Sequence, residues 1–200
     1  LRTNLSFAGK NVKVISLTSC TPNEGKTSVS FQLCLSLAES GKQTILVDAD
    51  LRKSVLRGRY KANREKYGLS HYLSGQVELD DACCRTNVNN FDIIFAGPVP
   101  PNPSELLGGD AFRNMLEVLR MKYDYVIVDT PPLGSVIDAA IVGAICDGTV
   151  IVVESGAISY KFVQNVKEQL NKVGCRILGC VLNKVNTKNC LLYTSPSPRD

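Results

Sequence analysis

The chain has 200 residues, of which 44% are apolar and 21% charged, and its formal net charge is +4. This length and apolar content suit one globular domain with a substantial core. The mild charge gives no reason to expect nucleic acid as a partner, since that requires a concentrated basic face. The eight cysteines lack the paired spacing of a zinc site or disulfide framework, so we expect a reduced, cytoplasmic setting.

Strand-like and helix-like segments alternate along the chain. The predicted strands are 12–17, 44–47, 91–95, 125–128, 149–153 and 176–182. The predicted helices are 27–40, 68–73, 104–107, 111–122, 137–146 and 160–173. The strands are continuous apolar runs, as expected for a parallel sheet covered on both faces. We therefore predict a doubly wound α/β domain with a mainly parallel sheet, whose ligand lies beyond the carboxyl ends of the strands.

A polar, basic stretch separates the second predicted strand from the next helix. Its basic residues are Arg52, Lys53, Arg57, Arg59, Lys61, Arg64 and Lys66. We interpret it as a solvated helix and loop, and a polyanion site is the alternative.

The most informative segment, residues 19–27, joins the first strand to the first predicted helix and ends in Gly-Lys-Thr. A strand, such a loop and a helix form the layout of a phosphate-binding loop. The predicted nucleotide contacts are Thr21, Pro22, Asn23, Glu24, Gly25, Lys26, Thr27 and Ser28. Lys26 would reach the β- and γ-phosphates, and the Thr27 hydroxyl would ligate Mg²⁺.

One position departs from the usual loop, because Cys20 stands where the motif has its first glycine. An ordinary strand–helix turn is therefore the alternative for this segment alone. Cys20 also lies beside a helix N-terminus, where its thiolate would be favoured. A plain loop residue is the other interpretation of this cysteine.

Acidic residues follow two of the predicted strands. Asp48 and Asp50 come at the end of strand 44–47, and Asp129 follows strand 125–128. In a parallel sheet these ends lie at the same edge as the phosphate loop, so Thr27 and Asp129 could ligate Mg²⁺. A second carboxylate, Asp48 or Asp50, could accept a proton from an attacking hydroxyl. Arg52, just beyond, is a possible charge partner, and a helix N-cap is the plain alternative for one such aspartate.

Five motifs together resemble the bacterial protein-tyrosine kinases (BY-kinases). The first three resemble the Walker A, A′ and B motifs of that family, and the last is long and typical of it. The motifs are Cys20-Thr21-Pro22-Asn23-Glu24-Gly25-Lys26-Thr27, Val47-Asp48-Ala49-Asp50-Leu51-Arg52, Ile127-Val128-Asp129-Thr130-Pro131-Pro132, Gly68-Leu69-Ser70 with Leu73-Ser74-Gly75, and Ala96-Gly97-Pro98-Val99-Pro100-Pro101-Asn102-Pro103-Ser104-Glu105-Leu106-Leu107. The resemblance covers residues 1 to about 189.

The resemblance implies an ATP- and Mg²⁺-dependent tyrosine autokinase that controls capsular or exopolysaccharide synthesis. It implies a membrane-embedded activator of the chain-length-determinant type, fused or separate, which would hold the cytoplasmic kinase at the inner face of the plasma membrane. By this resemblance Lys26 is catalytic and holds phosphate, Asp129 holds the metal, and Asp48 is the base. Asp50 could share the metal or base role. Asn183 resembles the adenine-contacting asparagine, with a strand-end cap as the alternative.

Two features depart from the family pattern. Of the Glu-x-x-Arg-x-x-Arg helix that packs BY-kinase subunits into a ring, only the last arginine has a counterpart, Arg2. Residues 190–200 match the translation of a widely used transposase sequencing adapter and stand where the family has its tyrosine cluster. We therefore expect a kinase catalytic domain at 1–189 and a non-native tail at 190–200.

Two other functions remain open from the sequence. The first is a P-loop ATPase of the cell-division-site or plasmid-partition kind, which shares the fold and transfers phosphate to water. Such proteins usually carry a second lysine early in the loop, where this chain has Thr21. The second is a non-catalytic ATP-binding regulatory module, which would not need all three carboxylates.

Overall fold

The computed structural model describes residues 1–9, 11–59 and 67–186. The later part of the basic stretch, with Lys61, Arg64 and Lys66, lies outside the described residues. So does the whole segment predicted to derive from an adapter, 190–200.

One seven-stranded sheet forms the centre of the described structure. Its strands are β1 (Val14–Ser19), β2 (Thr44–Asp48), β3 (Cys83–Arg85), β4 (Phe91–Ile94), β5 (Tyr125–Asp129), β6 (Gly148–Glu154) and β7 (Ile177–Asn183). Across the sheet their order is β3-β4-β2-β5-β1-β6-β7. Every neighbouring pair is parallel except β3 with β4. The predicted mainly parallel sheet is therefore confirmed, and the carboxyl ends of β2, β5 and β1 lie side by side.

The helices connect these strands. In chain order they are α1 (Arg2–Ser6), α2 (Lys26–Glu39), α3 (Leu56–Arg59), α4 (Leu69–Leu73), α5 (Leu79–Ala82), α6 (Pro103–Gly108), α7 (Asp110–Lys122), α8 (Asp138–Ile145) and α9 (Tyr160–Lys172). None of the described helices has the length and apolar character that crossing a bilayer requires.

Helices cover both faces of the sheet. Successive strand residues point to opposite faces, so Ile15 and Ile127 pack with apolar residues of α1 and α2, whereas Val14 and Val126 pack with those of α4 to α8. Helix α9 joins α8 over β6 in a third cluster. Strands β1 and β2 are buried along their whole length, as expected for central strands of a parallel sheet covered on both faces.

Several short elements differ from the sequence prediction. Helices α1, α3 and α5 have five, four and four residues, and β3 has three. Segments this short cannot display a periodic apolar pattern. Strand β7, at the edge of the sheet, has only half-buried and exposed residues, so it is less covered than a continuous apolar run predicts.

Candidate active site

The loop between β1 and α2 has the backbone conformation expected of a phosphate loop. Asn23 and Gly25 both adopt positive φ angles, 68° and 88°. A Cβ on Gly25 would lie 2.3 Å from the Asn183 side-chain nitrogen, so an alanine there would have to displace that side chain and hold a left-handed backbone. Helix α2 begins directly afterwards at Lys26. The free N–H groups of its first turn therefore face the loop, as in anion-binding helix starts.

Lys26 and Asp129 meet directly, although they lie in different motifs. The Lys26 ammonium forms an ion pair with Asp129 Oδ1 at 2.9 Å, and both side chains are buried. Ser30, one turn into α2, donates a second hydrogen bond to the same oxygen at 2.9 Å. The Lys26 nitrogen also lies 3.3 Å from the Thr27 hydroxyl. The predicted phosphate-binding lysine, metal-ligating aspartate and metal-ligating hydroxyl thus form one contiguous group.

Asp48 lies beside Asp129 at the carboxyl ends of adjacent strands. The two residues are direct partners in the parallel β2–β5 pairing. Asp48 is buried, and its carboxylate accepts hydrogen bonds from the Ser54 hydroxyl and the Asp50 N–H. Burial, reinforced by the charge of Asp129, raises the pKa of Asp48 to about 7. A carboxyl group with this pKa can accept a proton near neutral pH.

Asp50 and Arg52, which follow Asp48 in the chain, have different hydrogen-bond and ion-pair partners. Asp50 is half-buried just beyond β2 and accepts a hydrogen bond from the Lys53 N–H at 3.0 Å. Arg52, suggested by the sequence as a charge partner of the two aspartates, instead forms an ion pair with Asp138 at 2.7 Å. This buried carboxylate, contributed by α8, is the ion-pair partner of the guanidinium, and Asp50 adds a weaker electrostatic effect that also raises the pKa of Arg52.

The Glu24 side chain is directed inward rather than toward the loop's surface. Its carboxylate is buried and accepts hydrogen bonds from the N–H and hydroxyl of Thr21 and, at 2.9 Å, from the Glu154 N–H. Glu24 therefore fastens the loop to the end of β6. Pro22 and Asn23, by contrast, are exposed at the loop's outer turn.

The end of β7 also holds the loop. The side-chain amide of Asn183 donates to the Glu24 carbonyl at 2.9 Å, and the Lys184 ammonium donates to the Asn23 carbonyl at 2.7 Å. Lys184 pairs with Glu154 as well, at 2.8 Å. This geometry matches the strand-end alternative for Asn183, and its contact with adenine stays a prediction. Sequence reasoning missed Lys184, because its partners lie far away in the chain.

A cavity of about 570 Å³ lies between α1, α2 and the end of β7, and Lys26, Asp48 and Asp129 do not line it. Ser28 and Asn183, two of the predicted nucleotide contacts, line it together with Arg2 and Gln32. Its size is in the range of small-molecule sites.

The environment of Cys20 contradicts the predicted stabilisation of its thiolate. Its side chain is fully buried. Burial, and then the neighbouring Glu24 carboxylate, raise the pKa of Cys20 to about 12. These effects outweigh the helix N-terminus, so the plain-loop interpretation is the correct one.

Comparison with known proteins places this geometry in a family. The AAA_31 family model, described as an AAA domain, matches residues 12–179. The tyrosine-protein kinase CpsD of Streptococcus agalactiae is 46% identical over 186 residues, which are 93% of this chain and 81% of that protein.

Solved structures agree with the sequence relatives. The kinase domain of the Escherichia coli tyrosine kinase ETK is 36% identical and superposes with a TM-score of 0.88, covering 100% of this chain and 76% of that one. The septum site-determining protein MinD of Pyrococcus horikoshii, complexed with Mg-ADP, is 26% identical with a TM-score of 0.74, over 88% of this chain and 71% of that one. The chain belongs to the bacterial tyrosine-protein kinase family within the nucleotide-binding P-loop AAA domains.

Proposed function

We propose that this protein is an ATP-dependent tyrosine-protein kinase whose site is built on Lys26, Asp48 and Asp129. The observation that carries the proposal is the buried Lys26–Asp129 pair with Asp48 directly beside it at the carboxyl edge of the sheet. Phosphoryl transfer depends mainly on positioning and charge stabilisation. This group offers a cation for the phosphates and a carboxylate for the acceptor within one small space.

In the proposed reaction a tyrosine oxygen attacks the γ-phosphorus of ATP. The new O–P bond forms as the bond to the β–γ bridging oxygen breaks, so ADP leaves with that electron pair. The phenolic proton passes to Asp48, whose carboxyl lies at the strand end beside the loop. Asp50 is the alternative base, since it lies two residues further along the same segment. Lys26 and the amides at the start of α2 hold the phosphates.

The residues fit Mg²⁺ as the accompanying metal. The Thr27 hydroxyl and the carboxylates of Asp129 and Asp50 would hold it, and such oxygen donors suit this ion. Bound there, the metal would neutralise charge on the phosphate oxygens. Among the described residues no three His, Cys, Asp or Glu side chains converge as a metal site, so phosphate and water oxygens would complete the coordination.

The proposal extends to partners by resemblance to the family. We propose a membrane-embedded activator that brings the kinase to the inner face of the plasma membrane, and self-association of the kinase into a ring. We also propose Asn183 as the residue that contacts adenine, and a role for the protein in capsular or exopolysaccharide synthesis. A partition-type ATPase is the competing function. Its usual second lysine is replaced by Thr21, whose N–H and hydroxyl instead bind Glu24.

The test is Mg-ATP turnover by Lys26→Met and Asp129→Asn. Lys42→Met and Asp110→Asn are matched controls, because both of those side chains are exposed away from the site. We expect each site variant to lower turnover by a factor of about 100 or more and the controls to match the wild type. Wild-type turnover in either folded site variant would refute the assignment.

A further inference from the structure

Asp138 is a fully buried carboxylate outside the predicted site, and both of its oxygens accept hydrogen bonds. Oδ2 accepts from Arg52 Nε at 2.7 Å, and Oδ1 accepts from the Arg52 terminal nitrogen at 3.2 Å. The Ser104 hydroxyl donates to Oδ1 at 2.5 Å and accepts from Arg52 at 2.9 Å. Such two-pronged arginine–carboxylate pairs fix geometry more strictly than single ion pairs do.

The contacts with Arg52 and Ser104 keep the Asp138 carboxylate ionised although it is buried. Burial alone would raise the pKa of Asp138, but hydrogen bonds from Arg52 and Ser104 hold it below its ordinary value. The group is therefore ionised at neutral pH. A buried ion of this kind is costly unless it is paired, so the three side chains form one interdependent unit.

This unit joins segments that follow the two acidic strands. Arg52 lies four residues after Asp48 and two after Asp50, on the segment leaving β2. Asp138 begins α8, the helix that follows β5 and Asp129. Ser104 belongs to α6, which packs against α8. The contacts therefore connect the segment that carries Asp48 and Asp50 to the rest of the domain.

We propose that Asp138 is a positioning residue for phosphoryl transfer, which fixes the segment 49–55 and thereby the carboxylates of Asp48 and Asp50 relative to the phosphate loop. This inference rests on the proposed kinase function for its activity readout. Asp138 acts through Arg52, its ion-pair partner.

The chain offers a matched control at the opposite end of the sheet. Asp147 is also paired with an arginine in a two-pronged contact, through Arg120 at 2.9 Å and 2.9 Å. It additionally accepts from the Lys13 and Val14 N–H groups where β1 begins. Asp147→Asn therefore removes a similar ion pair without touching the segment after β2.

The experiment compares Asp138→Asn with Asp147→Asn at a temperature where both are folded. We expect Asp138→Asn to lower kcat for phosphoryl transfer to tyrosine about 10- to 100-fold, because small displacements of catalytic groups have effects of this size. The KM for ATP should change less than about 3-fold. Asp147→Asn should keep the wild-type kcat. Asp138→Glu, which restores the charge, should recover part of the loss. Equal kcat in the two asparagine variants would overturn the proposal.

A second readout is independent of the reaction. Amide hydrogen exchange in segment 49–55 should accelerate at least about 10-fold in Asp138→Asn and stay unchanged in Asp147→Asn. Unchanged exchange in Asp138→Asn would overturn the proposal even if activity fell. If Asp138→Asn does not fold, Ser104→Ala, which keeps the ion pair, should show the same pattern with a smaller, several-fold effect. A wild-type protein that makes no phosphotyrosine on a supplied tyrosine-bearing peptide refutes the kinase function, while the exchange result still decides the role of Asp138.

Discussion

Gly25 provides a stringent stability and binding test of the phosphate loop. Its φ angle is 88°, and an added Cβ would lie 2.3 Å from the Asn183 nitrogen. The left-handed backbone costs an alanine about 1–2 kcal/mol. Moving Asn183 away would also break its hydrogen bond to the Glu24 carbonyl, which adds about 0.5–1.5 kcal/mol. We therefore expect Gly25→Ala to lower the free energy of unfolding by about 1.5–3.5 kcal/mol.

Gly41→Ala is the matched control, because Gly41 follows α2 with a φ of 82° and has open space around its Cβ position. It should lose only the backbone contribution, about 1–2 kcal/mol. Denaturant unfolding measures both variants, and calorimetric titration measures their Mg-ATP affinity. Gly25→Ala should be less stable than Gly41→Ala by about 1 kcal/mol and should lose ATP binding, which Gly41→Ala should keep. Equal stability of the two variants together with intact ATP binding by Gly25→Ala would refute this reasoning.

Three further predictions concern individual side chains. In a chain supplied with a tyrosine-bearing segment, Asp48→Asn should retain Mg-ATP affinity and lose phosphotyrosine formation, whereas Asp129→Asn should lose both. If the two variants lose Mg-ATP affinity to the same degree, Asp48 is a metal-site residue instead. Asp147→Asn should lower the free energy of unfolding by about 1–3 kcal/mol at neutral pH. Despite its burial, hydrogen bonds from its arginine partner and two backbone N–H groups lower the pKa of Asp147. Its contribution is therefore complete well above pH 4 and should disappear as the pH falls through and below about 4; a variant deficit that persists undiminished at pH 3 would contradict this. Burial raises the pKa of both Cys20 and Cys180, but only the Cys180 side chain is exposed. In the native protein at pH 8, Cys20 should therefore resist iodoacetamide while Cys180 reacts, as peptide mapping would show; native labelling of Cys20 at the rate of Cys180 would contradict its burial.

The sequence predicted the parts of the site that depend on which residues follow one another within a single strand, loop or helix. The strand, loop and helix around residues 14–39 follow from an apolar run, a Gly-Lys-Thr sequence and an amphipathic segment. Asp48 and Asp129 follow buried parallel strands, so the rule that strand ends share one edge was enough to bring them together. The structure pairs these two residues directly.

The contacts that fix this site were not predictable in the same way. The Arg52–Asp138 pair joins residues 86 positions apart, and the Lys184–Asn23 bond joins residues 161 apart. No local pattern distinguishes such a partner from an ordinary surface charge, because the pairing depends on how helices pack over the sheet. Cys20 shows the same limit, since its burial outweighs the local effect of the helix start.

The most direct test of the kinase function follows the γ-phosphate. The protein is incubated with Mg²⁺, ATP labelled at the γ-phosphate and a peptide that carries clustered tyrosines, beside Lys26→Met. We predict that label accumulates on tyrosine in the wild type and falls by a factor of about 100 or more in the variant. Label released only as inorganic phosphate, or phosphotyrosine formed equally well by Lys26→Met, would contradict the proposed function.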